Sequence, residues 1–477
     1  MSLFYACLLY FVLLHAEPTL AQTTVTVKQG DINGKISILG PNVTSYLGIP
    51  YAEPPLGNLR FKKPVPKAAW SSPLNATEYG PICLQRNATF PSSEDCLTLN
   101  VHVPQNNNTG PKAVMVWVHG GGFVVGSARV LDPVVLALED VIVVSINYRL
   151  GIFGFLAVGD VAKGNYGLWD QHLAFRWIKE NIAAFEGDPN RITIFGESAG
   201  SMSVSFHAMS PMSDELFHRV ISQSGVGSQD FVLLQSSKNI ALLSETSKCN
   251  STDSVSLVSC LKNKSEQDLL EASNILAETL FWIPNMDNEL ITGYVESSIN
   301  FLPDQYRKLD FLMGSNSLDG NFDTQALAKA EDGFTESDFS KAVDNLLHAF
   351  VRLDRDVIKA ALLQEYTAGV LNPDNRTRVK QLVEMEGDLF FTVPTHLNAL
   401  KHDTANGTGS TFVYYFSINT CFKVLPTASW LDGAGHVDEL IYINGMISSV
   451  CNGSATPADL ALQTAMITYW TNFAKSG

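Results

Sequence analysis

The sequence predicts an α/β fold with one large, mostly parallel central sheet that helices cover on both faces. Strands buried on both faces give near-continuous apolar runs, and four such runs occur, at 113–118, 141–146, 192–195 and 311–313. Helical apolar periodicity lies between them, most clearly over 169–185. Neither an internal repeat nor a long linker divides the 477 residues. We therefore expect one domain over 22–477.

An N-terminal hairpin is predicted ahead of this sheet. Residues 24–27 and 35–39 have the composition of strands, and Asn33-Gly34 lies between them. Both residues of this pair tolerate the positive φ of a tight turn, so we expect the chain to reverse there.

The first 21 residues are typical of a secretory signal peptide. They contain no Lys or Arg, are almost wholly apolar from Leu3 to Leu14, and end in Ala21. About twelve apolar residues are too few to cross a bilayer. We therefore expect residues 1–21 to be cleaved, and the protein to be secreted without an integral membrane span.

Charge and cysteine content agree with secretion and argue against nucleic-acid binding. The 48 acidic and 32 basic side chains give a formal charge of −16, which repels phosphate backbones and anionic lipid. Removing Cys7 with the signal leaves an even six of the seven cysteines, as suits an oxidising compartment. Their spacing favours three local disulfides, Cys83 with Cys96, Cys249 with Cys260, and Cys421 with Cys451. Sequons predict N-glycosylation at Asn42, Asn75, Asn87, Asn107, Asn250, Asn263, Asn375, Asn406 and Asn452.

Ser198 is the predicted nucleophile. The apolar strand 191–195 runs directly into Gly196-Glu197-Ser198-Ala199-Gly200, and a helical segment follows. Glycines flank the serine because a Cβ two residues away would clash with neighbouring elements in so sharp a turn. Strand, tight turn and helix together form the context in which this motif is a nucleophile elbow.

A glycine-rich loop is predicted to form an oxyanion hole. His119-Gly120-Gly121-Gly122-Phe123 follows the strand 113–118, and its glycines let backbone N–H groups approach a developing oxyanion. The predicted donors are Gly121, Gly122 and Ala199, the last at a helix N-terminus. The alternative is a simple turn or a phosphate cradle, but neither a Walker lysine nor a Gly-x-Gly-x-x-Gly spacing follows.

A serine nucleophile requires a base, which in hydrolases with this elbow follows an acid along the chain. Four histidines lie late enough, at His348, His396, His402 and His436. His348 lies in an apolar helical pattern that favours a packed structural role. His436 lies in a loop after the strand-like stretch 411–416, and residues 437–440 are predicted to begin a helix. We therefore predict His436 as the base.

Asp319 is the predicted acid that orients this histidine. It follows the strand ending near Gly314 and precedes Gly320. A solvated surface turn is the alternative, because Asp-Gly is a common turn dipeptide. Its position between Ser198 and His436 favours the catalytic role, with Asp323 as the reserve candidate.

Further motifs make the chain similar to a known family. They are Gly48-Ile49-Pro50-Tyr51-Ala52, Leu59-Arg60-Phe61, Ser93-Glu94-Asp95-Cys96-Leu97, Asn147-Tyr148-Arg149 and Gly164-Asn165-Tyr166-Gly167-Leu168-Trp169-Asp170-Gln171. With the elbow, they resemble the secreted type-B carboxylesterases and lipases, the family that also contains cholinesterases and bile-salt-activated lipase. The resemblance implies an α/β-hydrolase fold, a deep active-site gorge and the first two disulfides. Glu197 resembles the family's additional gorge carboxylate, with a structural acceptor as the alternative role.

The chain departs from the family pattern in four places. Asp319 stands where most relatives carry Glu, and Cys421 and Cys451 do not match the usual third disulfide. Relatives continue for several dozen residues beyond the position of Gly477, so we expect the C-terminal part of the domain to be missing. The stretch 84–95 lacks the tryptophan with which cholinesterases bind quaternary ammonium, which argues against that activity.

These observations predict a secreted serine esterase that works by two-step acyl transfer on a small-molecule or lipid ester, without a cofactor or metal. A neutral or bile-salt-activated type of lipase is one alternative. A non-enzymatic adhesion or binding protein on the same fold is another. Because His436 must be neutral to act as a base, activity is expected to fall as the pH drops through its pKa, near 6.5 when unperturbed. The physiological ester and the oligomeric state stay open.

Overall fold

A computed structural model describes residues 23–36, 42–106, 108, 110–227, 237–251, 253–276, 282–292, 303–321, 324–330, 333–350, 354–370 and 373–477. The predicted signal segment, the sequon residue Asn107 and the reserve acid Asp323 lie outside these residues.

The described strands run from the N-terminal hairpin to the far edge of the sheet. In chain order they are β1 (Thr23–Val27), β2 (Gly30–Ile36), β3 (Val43–Pro50), β4 (Leu74–Asn75), β5 (Ile82–Cys83), β6 (Ser92–Ser93), β7 (Thr98–Pro104), β8 (Lys112–Val118), β9 (Ile142–Ile146), β10 (Ala157–Val158), β11 (Ala162–Lys163), β12 (Gly187–Glu197), β13 (Arg219–Gln223), β14 (Asp310–Asn316) and β15 (Thr411–Phe416).

The described helices lie between and after these strands. They are α1 (Pro133–Ala137), α2 (Gly151–Phe155), α3 (Tyr166–Asn181), α4 (Ala199–Ala208), α5 (Ser237–Thr246), α6 (Ser254–Asn263), α7 (Glu266–Leu276), α8 (Thr324–Lys329), α9 (Glu336–Phe350), α10 (Arg355–Thr367), α11 (Asn375–Gly387), α12 (Val393–Asp403), α13 (Leu440–Ile443), α14 (Ile447–Val450) and α15 (Pro457–Ser476).

The central sheet has the order β1-β2-β3-β7-β9-β8-β12-β13-β14-β15, with β4 paired to β2. Pairing is antiparallel from β1 to β9 and parallel from β9 to β15. The predicted, mostly parallel sheet is therefore confirmed, and each of the four apolar runs is one of its strands.

Strand β8 shows why a continuous apolar run predicts a central strand. Its side chains alternate between two cores: Val114, Val116 and Val118 pack on one face, and Met115 and Trp117 on the other. All five are fully buried. The second core is completed by α15, which begins with a Thr456–Asp459 capping box. Both faces of the strand thus need apolar residues, and no polar alternation remains.

The N-terminal hairpin forms, but its turn is not at Asn33-Gly34. Val27 pairs with Gly30, so the chain reverses at residues 28–29, and Asn33-Gly34 lies inside β2 opposite β1. The prediction of the turn was therefore wrong. A Cβ on Gly34 would lie 2.6 Å from the Tyr46 ring, so this glycine allows close packing.

The three predicted disulfides, Cys83–Cys96, Cys249–Cys260 and Cys421–Cys451, are all present. The third encloses residues 422–450, the stretch that contains His436. Across the described residues, we find no helix with the length and apolar content needed to span a bilayer.

Candidate active site

Ser198 lies in a sharp turn between β12 and α4, at the carboxyl end of a central strand. Its φ of 56° and ψ of −124° are unfavourable for an L-residue. Its N–H donates to the Gln223 carbonyl over 2.9 Å. A Cβ on Gly196 would lie 2.6 Å from the Val118 carbonyl oxygen, and a Cβ on Gly200 would overlap that oxygen. The glycines are therefore required by contact with β8.

Ser198, His436 and Asp319 form a continuous hydrogen-bonded chain. His436 Nε2 lies 3.0 Å from Ser198 Oγ, and its Nδ1 lies 2.9 Å from Asp319 Oδ1. His436 is 8% exposed and Asp319 is 1% exposed. Burial excludes the alternative of a solvated turn for Asp319. An imidazole held in this way can take a proton from the hydroxyl while the carboxylate fixes its orientation.

Asp319 is itself held by two donors on its second oxygen. Oδ2 accepts the Asn316 N–H over 2.6 Å and the Ser224 hydroxyl over 2.8 Å. These contacts leave Oδ1 aimed at His436. Neither Asn316 nor Ser224 was predicted from the sequence, because their only signal is proximity to a strand end.

His396 and His402 lie away from the hydrogen-bonded group of Ser198, His436 and Asp319. His396 is exposed on α12, where Nδ1 contacts the Thr392 carbonyl over 2.8 Å. His402 is buried, with ring nitrogens 2.7 Å from Thr411 Oγ1 and 3.0 Å from the Tyr306 carbonyl. His348 lies within α9. The structure brings only His436 of these described side chains to Ser198.

The glycine loop packs directly on the serine turn. A Cβ on Gly120 would lie 3.1 Å from Ser198 Cβ. Gly121 and Gly122 have φ of 103° and 61°, conformations that glycine adopts readily. Ala199 opens α4, whose first N–H groups have no partner within the helix. Gly120 and Ala199 thus adjoin the serine from two sides, and the predicted donors Gly121 and Gly122 directly follow Gly120 in the loop.

Gln85 holds this loop through a contact that sequence reasoning missed. Its amide Nε2 donates to the Gly126 carbonyl, and its Oε1 accepts the Gly126 N–H, both over 2.8 Å. Gln85 is nearly buried and lies within the first disulfide loop. The loop is also held at its start, where the Tyr148 hydroxyl donates to the His119 carbonyl over 2.7 Å.

A buried polar network holds the histidine loop. Asn321 Oδ1 accepts the His436 N–H over 2.8 Å. Asn316 Nδ2 donates to the Gly435 carbonyl over 2.8 Å and to Glu439 Oε2 over 2.6 Å. Isolated polar residues carry no periodic pattern, so no sequence signal identified this network.

Buried carboxylates dominate the electrostatics around the imidazole. Burial lowers the pKa of His436, but Glu197, Asp319 and Glu439 raise it, with a net rise to about 9. Glu197 Oε1 lies 3.2 Å from His436 Nε2. Burial also raises the pKa of Glu197 well above its usual range and that of Glu439 to about 7. A neutral Glu197 would remove the largest contribution that favours the imidazolium.

Most of the predicted glycosylation sites lie at the surface. Seven sequon residues are exposed, namely Asn42, Asn75, Asn87, Asn250, Asn263, Asn406 and Asn452, whereas Asn375 is half-buried.

In the part of the chain that the structure describes, no group of three or more His, Cys, Asp or Glu could hold a metal ion.

A parallel sheet with a serine elbow at the end of a central strand defines an α/β-hydrolase fold. The family model described as "Carboxylesterase family" matches residues 21–477. The chain belongs to the carboxylesterase family.

Relatives with different names are similar to the chain to the same degree. Acetylcholinesterase 1 of Caenorhabditis elegans is 35% identical over 93% of this chain and 77% of its own length. Carboxylesterase 1C of Mus musculus is 32% identical over 96% of this chain and 86% of its own. Neuroligin-3 of Mus musculus is 34% identical over 92% of this chain, which spans only 59% of that relative's length.

Proposed function

We propose that this protein is a secreted serine esterase that hydrolyses carboxylic esters. One observation carries the proposal: the hydrogen-bonded chain of 3.0 Å and 2.9 Å that links Ser198 through His436 to Asp319. Membership of the carboxylesterase family, whose name denotes ester hydrolysis, supports the same proposal.

The proposed reaction has two steps. Ser198 Oγ bonds to the ester carbonyl carbon while its proton moves to His436 Nε2, and the carbonyl oxygen becomes an oxyanion. The N–H groups of Gly121, Gly122 and Ala199 stabilise this oxygen. The carbon–oxygen bond to the alcohol then breaks, and the alcohol leaves with the proton of His436.

Deacylation repeats the sequence with water. His436 takes a proton from the water as its oxygen bonds to the acyl carbon, and returns it to Ser198 Oγ as the acid leaves. Asp319 holds the imidazole throughout.

Labelling with an organophosphate probe tests the proposal. The probe is expected to attach stoichiometrically to Ser198 and abolish hydrolysis of short-chain esters, and Ser198→Ala should be neither labelled nor active. Asp432→Asn is a control that should be labelled and active like the wild type, because Asp432 is exposed. Folded wild-type protein that is not labelled would instead support a non-enzymatic binding role. Family membership does not decide this, since relatives named for enzymes and neuroligin-3 are similarly close.

The substrate class separates the remaining alternatives. A small-molecule ester and a neutral lipid ester can use the same triad, and comparison of soluble with emulsified esters distinguishes the esterase from the lipase. A cholinesterase is disfavoured, because the stretch between Cys83 and Cys96 has no tryptophan to bind a quaternary ammonium, and the exposed Arg86 lies near the place expected for it. Turnover of choline esters far above that of simple aliphatic esters would reverse this.

Secretion and glycosylation belong to the same proposal. Three disulfides and seven exposed sequon residues support an oxidising, glycosylating route. Expression in a secreting eukaryotic host should give protein in the medium that begins at Gln22 and loses mass on treatment with an N-glycosidase. Retention of residues 1–21 in the product would contradict the signal peptide.

A further inference from the structure

Asp438, two residues after His436, has a fully buried carboxylate that joins two separate parts of the chain. Oδ2 accepts the Gly435 N–H over 2.8 Å and the Thr420 hydroxyl over 3.0 Å. Oδ1 accepts the Val424 N–H over 2.9 Å. One carboxylate therefore binds the histidine loop to the segment 420–424.

Lys423 adds a second link between the histidine loop and the segment 420–424. Its Nζ lies 3.5 Å from Asp438 Oδ2 and also donates to the Gly433 carbonyl. Gly433 and Asp438 are the two ends of the loop that carries His436. The same ammonium thus holds the loop both before and after the imidazole, from a segment that the disulfide of Cys421 ties to Cys451.

The loop between these anchors has an unfavourable backbone. The sequence predicted that residues 437–440 begin a helix, and a helix does begin in this stretch, at Leu440. The start was predicted too early, because Val437 has φ of 68° and an α-helix requires negative φ. A β-branched residue at positive φ is a conformational outlier that persists only where its surroundings impose it. Contacts on both sides of Val437 supply that constraint.

We propose that Asp438 is a positioning residue that fixes His436 against Ser198, acting through the segment 420–424 rather than on the reacting atoms. This inference rests on the proposed esterase function. Loss of the carboxylate would free the loop to relax at Val437 and turn the imidazole from the serine. Because rates fall about 100-fold when a catalytic group is misplaced by about 1 Å, the effect on hydrolysis should be large.

The leaving group distinguishes positioning from a merely structural role. An alkoxide must take a proton from His436 as it departs, whereas p-nitrophenoxide leaves without one. A misplaced imidazole therefore harms alkyl esters more than aryl esters with the same acyl group. A simple loss of folded protein lowers both rates equally.

The test compares kcat/KM for ethyl butyrate and p-nitrophenyl butyrate in full-length Asp438→Asn, per active site counted by the end-point of organophosphate labelling. We expect a loss of about 100-fold for the ethyl ester and about tenfold for the aryl ester. Asp432→Asn, the same change at an exposed site in the same disulfide loop, should match wild type. An equal loss on both esters, or no loss per labelled site, would overturn the proposal.

Lys423→Met keeps the test decisive if Asp438→Asn does not fold. This variant retains the three hydrogen bonds of Asp438 but loses the ion pair, so the same preference for the aryl ester should occur in weaker form. Unchanged selectivity in folded Lys423→Met together with unfolded Asp438→Asn would mean that Asp438 is structural only. Wild-type protein that is never labelled would refute the esterase function itself, a result separate from either variant.

Discussion

The two halves of the candidate active site are built in different ways. The serine half joins β8, β12 and the start of α4, and its critical contacts are backbone against glycine. The acid and base half joins Asp319 and His436, which lie 117 positions apart, and its contacts are hydrogen bonds among buried amides and carboxylates. The first half should fail when a single methyl group is added. The second should fail when a charge is removed at constant volume.

The strongest way to break the serine half is Gly200→Ala. The added Cβ would overlap the Val118 carbonyl oxygen, and neither β8 nor the serine turn can move away within the sheet. We expect no detectable esterase activity and a much lower thermal midpoint, measured by ester hydrolysis and circular dichroism. Gly453→Ala is the comparison for backbone strain without a clash: its Cβ would meet no atom within 4 Å but its φ is 82°, so we expect a modest loss of stability and retained activity. Full activity in Gly200→Ala would show that close packing does not define this half.

Asp319→Asn breaks the other half without changing its volume. An amide cannot both accept the His436 Nδ1–H and keep the charge that stabilises the imidazolium, so kcat should fall by roughly 10⁴-fold. Circular dichroism is expected to show an intact fold.

Asp319→Glu restores the charge on a longer side chain and is expected to recover part of the activity. If Asp319→Asn keeps activity within tenfold of the wild type, Asp319 is not part of the triad. The rate enhancement would then come mainly from the serine half.

Gln85→Ala tests whether the serine half also needs a side-chain contact, in addition to its contacts between backbone and glycine. Loss of both 2.8 Å hydrogen bonds to Gly126 should lower the free energy of unfolding by about 1–3 kcal/mol and kcat by about tenfold. Chemical denaturation and steady-state kinetics measure the two effects. Arg86→Ala, in the exposed neighbour, should change neither quantity. A kcat equal to wild type would mean that the glycine loop holds its own shape.

Glu197→Gln has the smallest expected effect on the rate and acts on its pH dependence. The neutral amide removes the largest contribution that raises the pKa of His436, which should fall from about 9. Because the neutral imidazole is the base, the acid limb of the kcat/KM profile should move to lower pH. An acid limb that stays in place would show that Glu197 carries no charge at the working pH, and one that moves to higher pH would contradict a Glu197 contribution that raises the pKa of His436.

The site residues differed in how far the sequence could reveal them. Ser198 and the glycines around it occupy a contiguous pattern whose local geometry is unusual, so a few residues were enough to predict them. His436 and Asp319 required chain order and the elimination of other candidates. The structure brings Ser198 and Asp319 within hydrogen-bonding distance of His436. Gln85 and Asp438 gave no sequence signal, because an isolated polar residue has the same local pattern whether it is buried or solvated.

The sequence by itself determined the central strands, the serine turn and the three disulfide pairs, because burial on both faces, a sharp turn and close cysteine spacing all leave local patterns. Tertiary structure alone decided the position of the hairpin turn, where Gly34 serves contact with Tyr46, and the conformation of Val437. It also decided which carboxylates surround His436. These features depend on residues far apart in the chain, and their energies come from burial and charge that exist only once the sheet and its covering loops have assembled.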